Sequence, residues 1–135
     1  MKRKLLGIFA GVIITSSLLM VAVQASSYDT WFSFDSNVRG ETRSFDGQNI
    51  GFSATAVSSP FVHTFNKTYS VKLKRSNFFT DDTIGIVTMN RDTKSTAKWT
   101  NVGSGNYYVE LSKAVDGVTL TAGSSSNPTV SFYNY

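Results

Sequence analysis

The stretch Thr68–Arg75, T-Y-S-V-K-L-K-R, decides the fold of this chain. Tyr69, Val71 and Leu73 alternate strictly with polar or basic residues. A period of two places alternate side chains on opposite faces, so one face is buried and the other meets water. This pattern predicts a strand in an antiparallel sheet that is solvated on one side.

Similar short segments continue along the chain, rich in aromatic, β-branched and hydroxyl side chains that pleated sheets favour. Turn signals such as Asp46-Gly47 and Asp116-Gly117 separate them at a spacing of roughly 8–12 residues. The spacing predicts an all-β fold, namely an antiparallel β-sandwich of jelly-roll or Ig-like type, with a small β-barrel as the alternative. The expected strands cover residues 28–34, 41–45, 49–57, 68–75, 83–89, 95–102, 107–112, 118–122 and 129–135.

The first 25 residues have the order of a secretory signal peptide. Basic Lys2-Arg3-Lys4 precedes an apolar run over residues 5–23, and Val23-Gln24-Ala25 matches a small-residue cleavage site. We therefore expect an N-terminal signal helix cleaved after Ala25, and one secreted domain over residues 26–135. The alternative is a retained anchor, because a helix over 5–23 would span roughly 28 Å, close to the thickness of a bilayer core.

Charge and cysteine content narrow the classes of partner. The chain has 13 Lys and Arg against 9 Asp and Glu. Three of the positive charges lie in the signal segment, so the mature chain has ten against nine and a net charge of +1. This near-neutral balance argues against nucleic acid as a partner. The absence of cysteine excludes disulfides and a lipid-modified cysteine, and it is typical of a bacterial exporter that does not use oxidative folding.

The segment Gly105-Asn106-Tyr107-Tyr108-Val109-Glu110-Leu111 follows a Gly-rich turn near the end of the chain. It resembles the G-x-Y-Y-V-x-L strand of small bacterial extracellular β-sandwich domains of the pre-peptidase C-terminal type. The resemblance covers roughly residues 69–135. It implies a non-catalytic accessory or binding role, and it carries over no site residues.

No catalytic constellation stands out in the sequence. His63 is the only histidine, and the G-x-S-x-G pattern is absent, so we expect a protein that is not an enzyme. One histidine without cysteine disfavours zinc. Asp81 and Asp82 are weak candidates for a calcium site, with simple turn chemistry as the alternative, and no other cofactor is expected.

Five aromatic side chains lie on strand faces opposite the expected core positions. Exposed rings of this kind stack on sugars, so these residues are candidates for ligand binding. The alternative places both tryptophans in the core. The five are Trp31, Trp99, Tyr108, Tyr133 and Tyr135.

Lys72, Lys74 and Arg75 lie on or beside the solvated face of one strand and form a candidate patch for a polyanion such as teichoic acid. The alternative is that these charges protect an edge strand against aggregation.

Together these features predict a secreted, non-enzymatic module that binds a cell-surface, cell-wall or matrix component. The expected partners are a cell-wall polymer, a polysaccharide or a surface protein. The alternative is a small secreted effector, bacteriocin-like or membrane-active. Membrane contact is expected only for that effector or for a chain that retains its N-terminal segment.

Overall fold

A computed structural model describes residues 25–47, 49–61 and 66–135, and every regular element in these ranges is a β-strand. The predicted signal helix and His63 lie outside the described residues. In the described ranges no helix has the length and apolarity needed to cross a membrane. The strands are β1 (Ser27–Thr30), β2 (Phe32–Phe34), β3 (Asn37–Arg39), β4 (Arg43–Phe45), β5 (Ile50–Thr55), β6 (Val57–Ser59), β7 (Thr68–Arg75), β8 (Asp82–Asn90), β9 (Lys94–Trp99), β10 (Gly105–Ser112), β11 (Thr119–Ala122) and β12 (Val130–Asn134).

The strands form three antiparallel sheets. The four-stranded sheet has the order β1-β12-β5-β9. The five-stranded sheet has the order β3-β10-β7-β8, and β4 also pairs with β10. The small sheet has the order β2-β11-β6. The all-β prediction is therefore confirmed, whereas the alternative of a small barrel is wrong for the described residues, because none of these sheets closes on itself.

Strand β7 has the bounds and the facing that its sequence predicts. Tyr69, Val71 and Leu73 are buried, while Lys72 and Lys74 are partly exposed. Since β7 lies between β10 and β8, it is a central strand rather than an edge strand. The interpretation of its lysines as edge protection is therefore wrong.

The core lies between the inner faces of the sheets. Phe52 of β5 and Phe132 of β12 meet edge to face, with ring centroids 6.2 Å apart, and the Phe132 ring also packs against Phe45 at 4.9 Å. Burial of large rings dominates the hydrophobic free energy of a domain this small. Aromatic side chains, more than leucine, thus hold the layers together.

The segment 28–34, expected as one strand, divides at Trp31. β1 pairs with β12 in the four-stranded sheet, whereas β2 pairs with β11 in the small sheet. The chain changes sheets at Trp31 while its in-and-out alternation continues, with Phe32 and Phe34 buried. Periodicity indicates the face of a sheet on which each side chain lies, but not the strand with which the segment pairs. It therefore predicts one strand where the structure has two.

A buried ion cluster of Asp116, Lys113 and Arg91 lies at the end of the molecule where β10 leads into β11. The Asp116 carboxylate accepts hydrogen bonds from Lys113 Nζ at 2.7 Å and Arg91 Nη1 at 2.8 Å. These bonds, with that from Lys113 foremost, hold the pKa of Asp116 well below its usual range. Gly117 follows with φ of 75°, which confirms the predicted Asp-Gly turn and its need for a residue without Cβ.

Candidate ligand-binding cleft

A cleft of about 290 Å³ opens between the edge of the four-stranded sheet at β1 and the edge of the five-stranded sheet at β3 and β4. Both edges are interrupted here: β1 gives way to β2 at Trp31, and the chain leaves the sheet edge between Arg39 and Arg43. Gly40 N–H keeps one bond to the Val109 carbonyl at 2.9 Å, which holds this crossing close to β10. The breaks in two edge strands thus create the opening.

The floor of the cleft is apolar and belongs to the core. Phe32, Phe52 and Phe132 contribute their rings, and Val109 and Leu111 contribute aliphatic side chains from β10. Because these residues are buried and packed against each other, the floor is part of the rigid interior. A ligand would meet a preformed apolar surface here.

The rim carries aromatic and charged groups. The Trp31 side chain is 47% exposed at the mouth. Arg43, which also lines the cleft, pairs with Glu41 at 2.7 Å, and its guanidinium lies 4.8 Å from the centre of the Tyr28 ring. Tyr28 in turn donates its hydroxyl hydrogen to the Ser44 carbonyl at 3.1 Å.

This combination of groups suits a small amphipathic ligand. Binding sites for small molecules are concave and mainly apolar, with few polar groups that fix orientation, and their volumes begin at about 300 Å³. An exposed indole offers a flat face for stacking, while the Glu41–Arg43 pair offers both an acceptor and donors. No catalytic arrangement accompanies these groups among the described lining residues.

The five candidate aromatic residues do not form one platform. Trp99 is only 6% exposed and packs near Gly85, and Tyr108 is fully covered. The predicted exposure of these two rings is therefore wrong, and Trp99 belongs to the core as the alternative held. Trp31 is exposed, so the core alternative is wrong for that residue.

Tyr133 and Tyr135 lie together on the outer face of the four-stranded sheet. Their ring centroids are 5.9 Å apart, and Lys98 Nζ lies 5.3 Å from the centre of the Tyr135 ring. The Tyr133 ring covers Gly51, where a Cβ atom would approach within 2.3 Å of it. Neither tyrosine lines the cleft at Trp31.

Tyr108 points outward, as alternation predicts, yet other side chains cover it. The Arg39 guanidinium stacks on its ring, and its hydroxyl donates a hydrogen bond to Asp81 Oδ2. This bond raises the pKa of Tyr108 and is also the main cause of the lowered pKa of Asp81. The alternation of side chains along β10 could not predict this burial, because Asp81 comes from a loop and Arg39 from the neighbouring strand β3.

The candidate polyanion residues are divided between two environments. Lys72 and Lys74 share the outer face of the five-stranded sheet with Glu110, whose carboxylate lies 3.9 Å from Lys74 Nζ. Arg75 instead points toward the interior, where its guanidinium donates to the Tyr107 hydroxyl and the Val102 carbonyl. Arg75 thus fastens the turn after β9 and is not part of one patch with the two lysines.

The calcium candidates are engaged with the protein itself. Asp81 accepts hydrogen bonds from Tyr108 and from the Asn77 N–H, and Asp82 accepts one from Asn77 Nδ2 at 2.6 Å. In the ranges that the structure covers, no three His, Cys, Asp or Glu side chains come together as metal ligands would. Both aspartates thus take part in hydrogen bonds of the turn before β8, and the calcium site stays a prediction.

Sequence reasoning missed most of the cleft. Tyr28, Arg39, Glu41 and Arg43 carry no sequence pattern that marks a site. They come together because two edge strands break at the same place, which is a property of pairing between distant segments. Only Trp31, as an outward-facing aromatic residue, signalled this position.

Comparisons with protein-family models, with curated proteins and with solved structures find no match to this chain. The resemblance to domains of the pre-peptidase C-terminal type stays a prediction. The function is therefore argued from the geometry of the cleft.

Proposed function

We propose that this protein is a secreted, non-enzymatic β-sandwich module that binds a carbohydrate of the cell surface, cell wall or matrix in the cleft at Trp31. The observation that carries the proposal is the half-exposed indole at the mouth of an apolar cleft. Sugar rings present apolar C–H faces that stack on aromatic rings, and hydroxyl groups that bond to carboxylates and guanidinium groups.

The order of the strands supports a jelly-roll sandwich. A single residue separates β1 from β2 and β5 from β6, and β3 and β4 both pair with β10. A loop over residues 123–129 separates β11 from β12, which pair with successive parts of the β1–β2 and β5–β6 segments. If each pair is taken as one interrupted strand, eight strands remain, in the orders 1-8-3-6 and 2-7-4-5. Jelly rolls occur in lectins among other proteins, which is an analogy of fold and adds to the argument from the cleft without replacing it.

The experiment is a binding panel with the chain from Ser26 onward, which contains every core side chain of the described residues. Purified peptidoglycan, teichoic acid and polysaccharides are tested by retention and by titration of tryptophan fluorescence. We expect one class to shift the emission of Trp31, because that indole changes from water to a stacked environment. Trp31→Ala should weaken this binding at least about tenfold, which corresponds to roughly 1.4 kcal/mol.

Tyr135→Ala is the matched control, since Tyr135 is 46% exposed and lies outside the cleft. It should leave binding unchanged. Retention on none of the panel, or equal losses in both variants, would contradict the proposal.

A further inference from the structure

Two adjacent phenylalanines project from the loop between β7 and β8. Phe78 is 93% exposed and Phe79 is 90% exposed. The two rings contact each other edge to face, with 4.8 Å between their centroids. Large apolar side chains are the most costly groups to leave in water, so a pair of them at a loop tip indicates a contact surface.

The loop that carries these rings is held in place. Ser76 N–H donates to the Asn106 carbonyl at 2.8 Å, and Asn77 bonds to both Asp81 and Asp82. Asp81 is in turn bonded to Tyr108 on the sheet. The exposure of the rings is thus a feature of a hydrogen-bonded loop at a defined position.

The loop lies at the end of the molecule where the described chain begins. Asn106, which receives the Ser76 bond, also accepts a hydrogen bond from Ser44 Oγ at 2.5 Å. The Ser44 carbonyl accepts the bond from Tyr28, the second residue of β1. A short series of contacts therefore joins the loop with Phe78 and Phe79 to the start of the first strand.

The same end bears a third exposed aromatic ring. Tyr135 donates its N–H to the Asn49 carbonyl at 3.0 Å, and Asn49 Oδ1 accepts a bond from the Asn101 N–H. Asn101 precedes Val102, whose carbonyl receives the Arg75 bond at the end of β7. Tyr135, with Lys98 beside it, thus flanks this end with the amphipathic ring typical of membrane interfaces.

We propose that this end of the molecule docks on a lipid bilayer, with Phe78 and Phe79 inserted at the interface between headgroups and acyl chains. The apolar run over residues 5–23 ends three residues before Ser26, a distance of at most about 10 Å in extended chain. A bilayer that held this run would therefore face the same end of the domain. Docking by the two rings keeps that orientation whether or not the run is removed.

Positive and negative charges both lie beside the loop. Arg39 and Lys74 lie near Asp81, and the carboxylates of Asp81 and Asp82 accept hydrogen bonds from Tyr108 and Asn77. The contact with the bilayer therefore rests on the two rings and not on a net charge. Two convex rings offer too little area for a specific protein interface, which buries upward of about 1,000 Å², whereas a bilayer needs no complementary surface.

The test uses the chain from Ser26 onward and vesicles of phosphatidylcholine with phosphatidylglycerol. We expect the protein to sediment with the vesicles, and the double variant Phe78→Ser/Phe79→Ser to bind at least about tenfold more weakly, because two apolar rings no longer leave water. Val115→Ser is the matched control, since Val115 is 85% exposed at the opposite end, next to the ion cluster of Asp116. It should bind as the unchanged protein does.

A second measurement reports insertion directly. Phe79→Trp should add tryptophan emission that shifts to the blue and is quenched by brominated acyl chains. No sedimentation of the unchanged protein, or equal binding by the double variant, would overturn the proposal. So would a dimer in solution that the double variant converts to a monomer without any vesicle binding, because the rings would then meet a second copy.

This inference is independent of the proposed carbohydrate site. Trp31→Ala should leave vesicle binding unchanged, and the double phenylalanine variant should leave carbohydrate binding unchanged. Failure of one proposal is therefore distinguishable from failure of the other.

Discussion

The guanidinium carbon of Arg39 lies 3.8 Å from the centre of the Tyr108 ring. Arg39 also lines the cleft at Trp31, and Tyr108 bonds to Asp81 in the loop that carries Phe78 and Phe79. One stacked pair thus connects the rim of the cleft to the base of the exposed loop. A cation above an aromatic face is attracted by the ring quadrupole, so the pair also fixes the position of Arg39.

Tyr108→Phe should raise the pKa of Asp81 toward its ordinary value while keeping the ring under Arg39. The hydrogen bond from Tyr108 is the largest cause of the lowered pKa, and the variant removes only that bond. Titration of the carboxyl carbon of Asp81 by NMR measures the change. An unchanged pKa would show that the cations nearby, and not the hydroxyl, stabilise the carboxylate.

Asp116→Asn should destabilise the fold by about 3 kcal/mol, because it leaves the buried charges of Arg91 and Lys113 without a counter-ion. The pKa of Asp116 is lower in the folded state than in the unfolded state. Its contribution to stability is therefore complete above the unfolded pKa of about 3.9, and it is lost as the pH falls toward the folded pKa. Urea unfolding at several pH values measures both effects.

Glu41→Gln is the control for this variant. The Glu41–Arg43 pair has a similar distance but an exposed carboxylate, so its loss should change stability by less than about 1 kcal/mol. Equal losses for the two substitutions would contradict the importance of burial for the Asp116 cluster.

Tyr69→Phe should stabilise the protein by about 1 kcal/mol. The Tyr69 ring packs against Phe32 and Phe34, and its buried hydroxyl has no hydrogen-bond partner among the described residues. Burial also raises the pKa of this phenol, which reflects the same unfavourable environment for a polar group. The midpoint of urea unfolding should rise, and a fall would show that the hydroxyl makes a bond of value to the fold.

Iodide should quench the fluorescence of Trp31 and leave the fluorescence of Trp99 unchanged. Trp31 is half exposed, whereas Trp99 lies in the core. Trp31→Phe should therefore remove nearly all the quenchable emission, and the remaining spectrum should be that of a buried indole. Quenchable emission that persisted in this variant would contradict the burial of Trp99.

The sequence predicts a strand well where one run of alternating side chains also pairs within a single sheet. Thr68–Arg75 has its predicted bounds, and its alternation correctly identifies the buried side chains. The division of 28–34 escaped prediction because the alternation of Phe32 and Phe34 continues across a change of sheet. Local patterns carry no information on which distant strand completes a ladder.

The candidate site was harder to predict for the same reason. The outward facing of Tyr108 was correct, but its cover by Arg39 and Asp81 depends on contacts between residues far apart in the sequence. Trp99 lies on the same inward face of β9 as buried Ala97, so the error there is in the expected facing. Trp31 faces outward at the break between β1 and β2 and is exposed, as expected. For Tyr108, exposure is decided by neighbours that periodicity does not identify.

The pairing of β1 with β12 also has a mechanical consequence. Ser27 lies opposite Tyr133, so the chain enters and leaves the folded domain side by side. A force applied between the two ends would break the backbone hydrogen bonds between β1 and β12 one after another. The edge strand β1 would therefore detach first. Because Tyr28 and Thr30 of that strand form one wall of the cleft, tension on the ends would open the cleft before the rest of the domain unfolds.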